Sequence, residues 1–143
     1  MIVSGLCQCA LQDVWDGVHQ PGDDYRIALY GEGATLHPYT TSSYSPAGEV
    51  SGQGYHAGGQ SLKGRATGTG QGSGWLGWRT SPRWANATIK ARGALIYNKT
   101  RGGRAIAIFD FGKEIVSTNG PFDIPMPQPG PLTAPIQLFA AVE

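Results

Sequence analysis

The sequence predicts a mainly β fold, an antiparallel sandwich or barrel with one helix at its N-terminal end. Three observations carry this expectation. Only residues 3–18 of the 143 space their apolar side chains at a period near 3.6. Downstream, short apolar runs alternate at period two and are bounded by turn residues. Finally, 22 glycines and 10 prolines interrupt nearly every stretch of ten residues, which long helices do not tolerate.

Taken in chain order, Val3, Leu6, Cys7, Ala10, Leu11, Val14, Trp15 and Val18 form one helical stripe. Ser4 is placed to cap its start, Gly17 and Pro21 to end it, and Asp13 and Asp16 stand off the stripe. Residues 1–20 therefore read as a helical arm and 21–143 as a single β domain. Tyr25, Ile27 and Leu29 alternate with Arg26, Ala28 and Tyr30, which predicts a strand ending at Gly31. Residues 31–54 read as a long connection, and the run Thr67 to Gly74 as a flexible loop. Ala87 to Tyr97 and Ala105 to Phe111 predict a hairpin turning at Asn98 to Gly103. A second hairpin is expected from Lys113–Thr118 and Phe122–Met126 around Asn119-Gly120-Pro121, and a last strand from Pro135 to Val142.

Charged residues are only 15% of the chain, so solubility rests on Gly, Ser, Thr, Asn and Gln. The formal net charge of +1 conceals an uneven distribution: −5 over residues 1–49, +9 over 50–109 and −3 over 110–143. The basic middle suits either nucleic acid phosphates or the acidic ends of its own fold or of a neighbouring copy, and the balanced total favours the second. Cys7 and Cys9 lie too close in sequence to staple a loop and read as buried thiols. No basic leader precedes an apolar core and no apolar run approaches the roughly 18 residues of a membrane span, so neither a signal peptide nor membrane insertion is expected. The sequons at Asn86 and Asn98 then have no secretory route to glycosylation.

Catalytic constellations are not evident. His19, His37 and His56 lack zinc spacing, no G-x-S-x-G or P-loop occurs, and the match Gly52-Gln53-Gly54-Tyr55-His56-Ala57 to a dinucleotide motif is followed by Gly58-Gly59 where a helix should start. Neither an enzyme nor a cofactor is expected. The most unusual local chemistry is Trp75, Leu76, Gly77, Trp78 and Arg79 with Arg83 and Trp84. Aromatic rings beside arginine suit a core cluster with a charged rim, a protein interface, or stacking on bases or sugars.

The series Tyr25–Tyr30, Ala34-Thr35-Leu36, Gly48–Tyr55 and Ala57-Gly58-Gly59 is continued by Ala87-Thr88-Ile89, Ala91–Asn98, Ala105–Gly112 and Ser117–Phe122. In that order these segments resemble small β-rich virion proteins of tailed bacteriophages, best of all the capsid cement, or decoration, proteins. The resemblance covers most of the chain, and none of its motifs is catalytic. It implies a jelly-roll-type sandwich bound to the outside of the major capsid shell, with the major capsid protein as partner. The location implied is the outer capsid surface of the virion, with the host cytoplasm during assembly. The sequence departs from the pattern at Trp75–Trp84 and in the Pro-rich stretch 125–135, which leaves a tail or head–tail position as the alternative. A second alternative is a nucleic-acid-binding module using the basic segment 63–104, although nucleic acid is not the expected partner.

Self-association is expected as a homodimer first and a homotrimer second, because few charges and open strand edges favour covering them. Loops at the end of a sandwich carry recognition, so Trp78, Arg79, Arg83 and Trp84 are the expected protein-interface residues.

Overall fold

A computed structural model describes residues 1–124, 130 and 135–139 of the chain. Among them the fold is mainly β and antiparallel, with one short helix. The elements are β1 (Gly5–Leu6), α1 (Gln8–Trp15), β2 (Tyr25–Tyr30), β3 (Gln60–Ser61), β4 (Lys63–Gly70), β5 (Ser73–Thr80), β6 (Arg83–Asn98), β7 (Arg104–Asp123) and β8 (Ile136–Phe139). A 3-10 turn at Lys99–Arg101 joins β6 to β7. One sheet has the order β1-β7-β6-β2-β3 and the other β4-β5-β8. The chain forms two compact units, one of Met1–Ser61 with Trp84–Phe122, the other of Leu62–Arg83 with Asp123–Glu143.

In the first unit β2 lies between β6 and β3, in register Tyr25↔Asn98 through Tyr30↔Gly93 with β6. Both of its faces are covered, so Ile27 and Leu29 on one side and Ala28 and Tyr30 on the other are all buried. Around Ala28 and Tyr30 the core gathers Ile2, Leu36, Leu95, Tyr97 and Ile108. Residues 31–54, expected as a long connection, contain no strand among the elements but are tied down by polar groups. The Glu49 carboxylate accepts hydrogen bonds from the Tyr44 and Tyr55 hydroxyls and from the Gly58 N–H. Tyr30 and Tyr97 donate to the carbonyls of Ser45 and Gly58. Burial pushes the hydroxyl pKa values of Tyr30, Tyr44 and Tyr55 up, so they remain donors at any ordinary pH.

Five expectations need correction. The helix occupies Gln8–Trp15, not residues 3–18, because residues 1–6 are drawn into strand contacts: Gly5 and Leu6 pair with Ile108 and Ala107, and Val3 donates to the Leu36 carbonyl. Ser4 therefore caps nothing; its hydroxyl accepts from the Asp110 N–H, and Cys7 occupies the N-cap without a side-chain bond. The expected stripe is also only partly inward: Cys7 and Ala10 are buried together with Asp13, whereas Leu11, Val14 and Trp15 are exposed.

The glycine-rich run Thr67–Gly74 is not a loop but the closed end of the β4–β5 hairpin. Gln71 and Gly72, at φ 51° and 75°, form the two-residue turn between the paired Gly70 and Ser73, and two successive positive φ values are what a type I′ turn demands. Lastly, no hairpin forms at Asn119-Gly120-Pro121, since β7 runs on through these residues to Asp123. Asn119 takes φ 46° within the strand and donates its N–H to the Thr88 hydroxyl, so the turn-forming residues produce a local bend. Pro125 and Met126 of that expected hairpin, residues 140–142 of the expected last strand, and most of the stretch 125–135 lie outside the described residues.

Candidate protein-interface site

The β4–β5 hairpin of the second unit places the first two expected interface residues, Trp78 and Arg79. Its first strand holds Gly64, Gly68 and Gly70, so the pairing leans on backbone bonds and on the large side chains of β5. Gly68 faces Trp75 across the ladder, and a Cβ at 68 would lie 2.4 Å from the indole carbon Cζ2, so only glycine lets the ring lie over the opposite strand. Trp78, opposite Arg65, is wholly buried. The next residue, Arg79, is exposed. After Pro82, Arg83 is also exposed, 59% at its side chain, with its Nε 3.7 Å from the Asp123 carboxylate. Such an exposed pair is worth at most about 1 kcal/mol.

Trp84 belongs to the first unit and is 6% exposed. Its ring packs against Tyr55 at 5.7 Å and edge-on to Phe122 at 6.3 Å, an aromatic cluster of the core. The four expected residues thus divide by type: both tryptophans are packed inside the chain and both arginines face water. Arg79 and Arg83 are what this segment offers to a second surface, with forked donors suited to carboxylates.

Sequence reasoning missed a second constellation, in which the end of α1 meets the β6–β7 turn. Asp13 is buried and accepts from Arg104 Nε, and His19 Nε2 lies 3.5 Å from the same carboxylate oxygen. Asp23 accepts from Arg101 Nε and Nη2 at 2.8 and 2.9 Å and from the Asn98 amide at 2.8 Å. Arg101 holds the Asp23 carboxyl well below the usual range, so Asp23 only accepts, and this fixes the Asn98 nitrogen rather than its oxygen towards it. The same nitrogen is 2.9 Å from His19 Nδ1, which must therefore accept. His19 is thus neutral with its proton on Nε2, facing Asp13, and burial lowers its pKa from the ordinary value.

This network neutralises charge and fastens α1 to the turn. Its nearest thiol is a poor nucleophile: Cys9 donates to the Ala105 carbonyl at 3.4 Å, and burial and the Asp13 charge push its pKa up. Cys7 is buried, its thiol pushed up to about 12 by burial and then by Cys9. Among the described residues no three His, Cys, Asp or Glu side chains come together as a metal-binding group.

The uneven charge distribution finds its physical partners here. Arg83, Arg92, Arg101 and Arg104 of the basic segment meet Asp123, Glu32 and Asp110, Asp23, and Asp13 of the acidic ends. The signal available in the sequence was that distribution itself, with Arg101 inside an expected turn and Arg104 just after it, and Asp13 and Asp23 on either side of the end of an expected helix. Comparison with models of protein families, with characterised proteins and with solved structures finds no match to this chain.

Proposed function

We propose that this chain is a non-enzymatic structural virion protein of a tailed bacteriophage that binds the outer surface of the major capsid shell and stabilises it. The reading rests on the order of segments that resembles the cement proteins. It is supported by the placement of Arg79 and Arg83, exposed beside tryptophans that the fold has buried. The jelly-roll topology of the eight strands found among the described residues is part of this proposal. So are the major capsid protein and a second copy of the chain as partners, in a homodimer before a homotrimer.

A cement protein needs a rigid body and modest contacts repeated over many copies. Each contact can be weak when hundreds add, and binding only the assembled lattice stabilises it by mass action. The exposed arginines fit that task because they recognise carboxylates in a fixed fork without depending on a large apolar patch.

The test is co-sedimentation with emptied capsids of the phage. Arg79→Ala with Arg83→Ala should leave the melting temperature within about 2 °C of the wild type, as exposed substitutions do, yet reduce the bound fraction at least about tenfold. Unchanged decoration by a folded double variant would overturn the assignment of these arginines. Failure of the wild type to bind capsids, together with salt-sensitive binding to DNA, would favour a phosphate-binding role for segment 63–104 instead.

A further inference from the structure

Among the described residues, the outer face of α1 has no apolar partner. Leu11, Val14 and Trp15 stand at i, i+3 and i+4 with side chains facing water, and Trp15 is 88% exposed. Beside Trp15, Asp16 caps the C-terminal end of the helix, where the backbone already carries partial negative charge. No basic residue lies in the last turn, and Arg104, which senses the Asp16 charge, is bonded to Asp13. A lone carboxylate there disfavours the helix, and an apolar face beside it disfavours solubility. Both costs are relieved by a surface that offers an apolar recess with a cation at its rim.

The same unit carries such a recess. Val50, Ile89 and Val116 line an open groove of about 300 Å³ where β6 lies beside β7, and Lys90 is the only charged residue among its described lining. Val116 is 55% exposed, and Lys90 forms no ion pair among the described residues. Apolar knob and acid on one side thus match apolar groove and base on the other.

We propose that the outer face of α1 (Leu11, Val14, Trp15, Asp16) docks into the Val50–Ile89–Val116 groove, rimmed by Lys90, of a second copy of this chain. The contact is head-to-tail, because the two surfaces belong to different patches of one molecule, so each copy offers one of each and association continues into rings or chains. The three side chains present on the order of 350 Å² of apolar surface, given that one aromatic residue alone buries up to about 250 Å². A stable interface buries roughly 800 Å² per partner, so this contact is weak in dilute solution and forms when copies are concentrated, as on a lattice. The inference bears on the self-association part of the reading above, where it favours a ring such as the homotrimer over a closed dimer, and it is independent of the capsid part.

Sedimentation equilibrium of the free full-length chain tests it without any capsid. The weight-average mass of the wild type should rise above that of the monomer as the concentration approaches about 1 mM. Trp15→Ala and Lys90→Glu, both at exposed positions, should each abolish that rise while keeping the wild-type melting temperature. A mixture of the two should form a 1:1 dimer and stop there, because the intact helix of Lys90→Glu enters the intact groove of Trp15→Ala. A wild type that remains monomeric, association unaffected by either variant, or a mixture that stays at monomer mass would each overturn the proposal.

Discussion

Trp84 and Arg79 were expected in one patch, and their environments separate them. Trp84→Ala would empty a site between Tyr55 and Phe122 and should cost about 3–5 kcal/mol in urea unfolding. Arg79→Ala alone should change stability by less than about 0.5 kcal/mol. His19 permits a test of pH dependence. Its folded-state pKa is held below 6.5, chiefly by burial, so as pH falls the unfolded chain takes up the proton first. Its contribution to stability is complete above about 6.5 and is lost as pH falls below that value. Asp23, held below its ordinary 3.8 by Arg101, keeps its contribution until pH falls below that value. The urea midpoint should therefore decline between about pH 7 and pH 5 in the wild type and stay nearly level over that interval in His19→Gln. A parallel decline in both would assign the effect to other groups. The partners of His19 could not be read locally, since Asn98 lies 79 positions away and Arg104 meets Asp13 across 91.

At the scale of elements, legibility followed side-chain chemistry. Tyr25–Tyr30 was readable because β-branched and aromatic residues mark a strand wherever it packs, and β6 with its return through Ala105–Phe111 was readable for the same reason. Lys63–Gly70 was not, because its Gly, Lys and Ala residues carry little strand preference and pairing comes from a turn that sequence reading seeks as Asn-Gly rather than Gln-Gly. Gln71→Asn should therefore stabilise the hairpin by a few tenths of a kcal/mol, and Gly72→Ala should destabilise it by about 1 kcal/mol. Hydrogen exchange of the β4 and β5 amides reads both directly. Asn119-Gly120-Pro121 misled in the opposite sense: turn residues mark a place where the backbone can bend, and the pairing of β7 with β6 decides whether the chain reverses there. The α1 stripe was periodic enough to be seen, but periodicity gives no sign of which face turns inward. Asp13, drawn in by Arg104, settled that and left the apolar side in water.

For the whole molecule, sparse charge is arranged so that much of it is spent within the fold, and Arg101 and Arg104 meet acids far away in sequence. The features proposed for contact are each small in area: two arginines on one unit, and a helix face and a groove on the other. Surfaces of this kind suit a protein that gains its hold from repetition. The most direct measurement is an image reconstruction of phage particles assembled with and without the chain. The account predicts additional density on the outer face of the capsid lattice at symmetry-related positions, fitted by the β-rich fold described here, with neighbouring copies in contact. Density confined to the tail or portal, or a capsid surface identical in the two reconstructions, would contradict it.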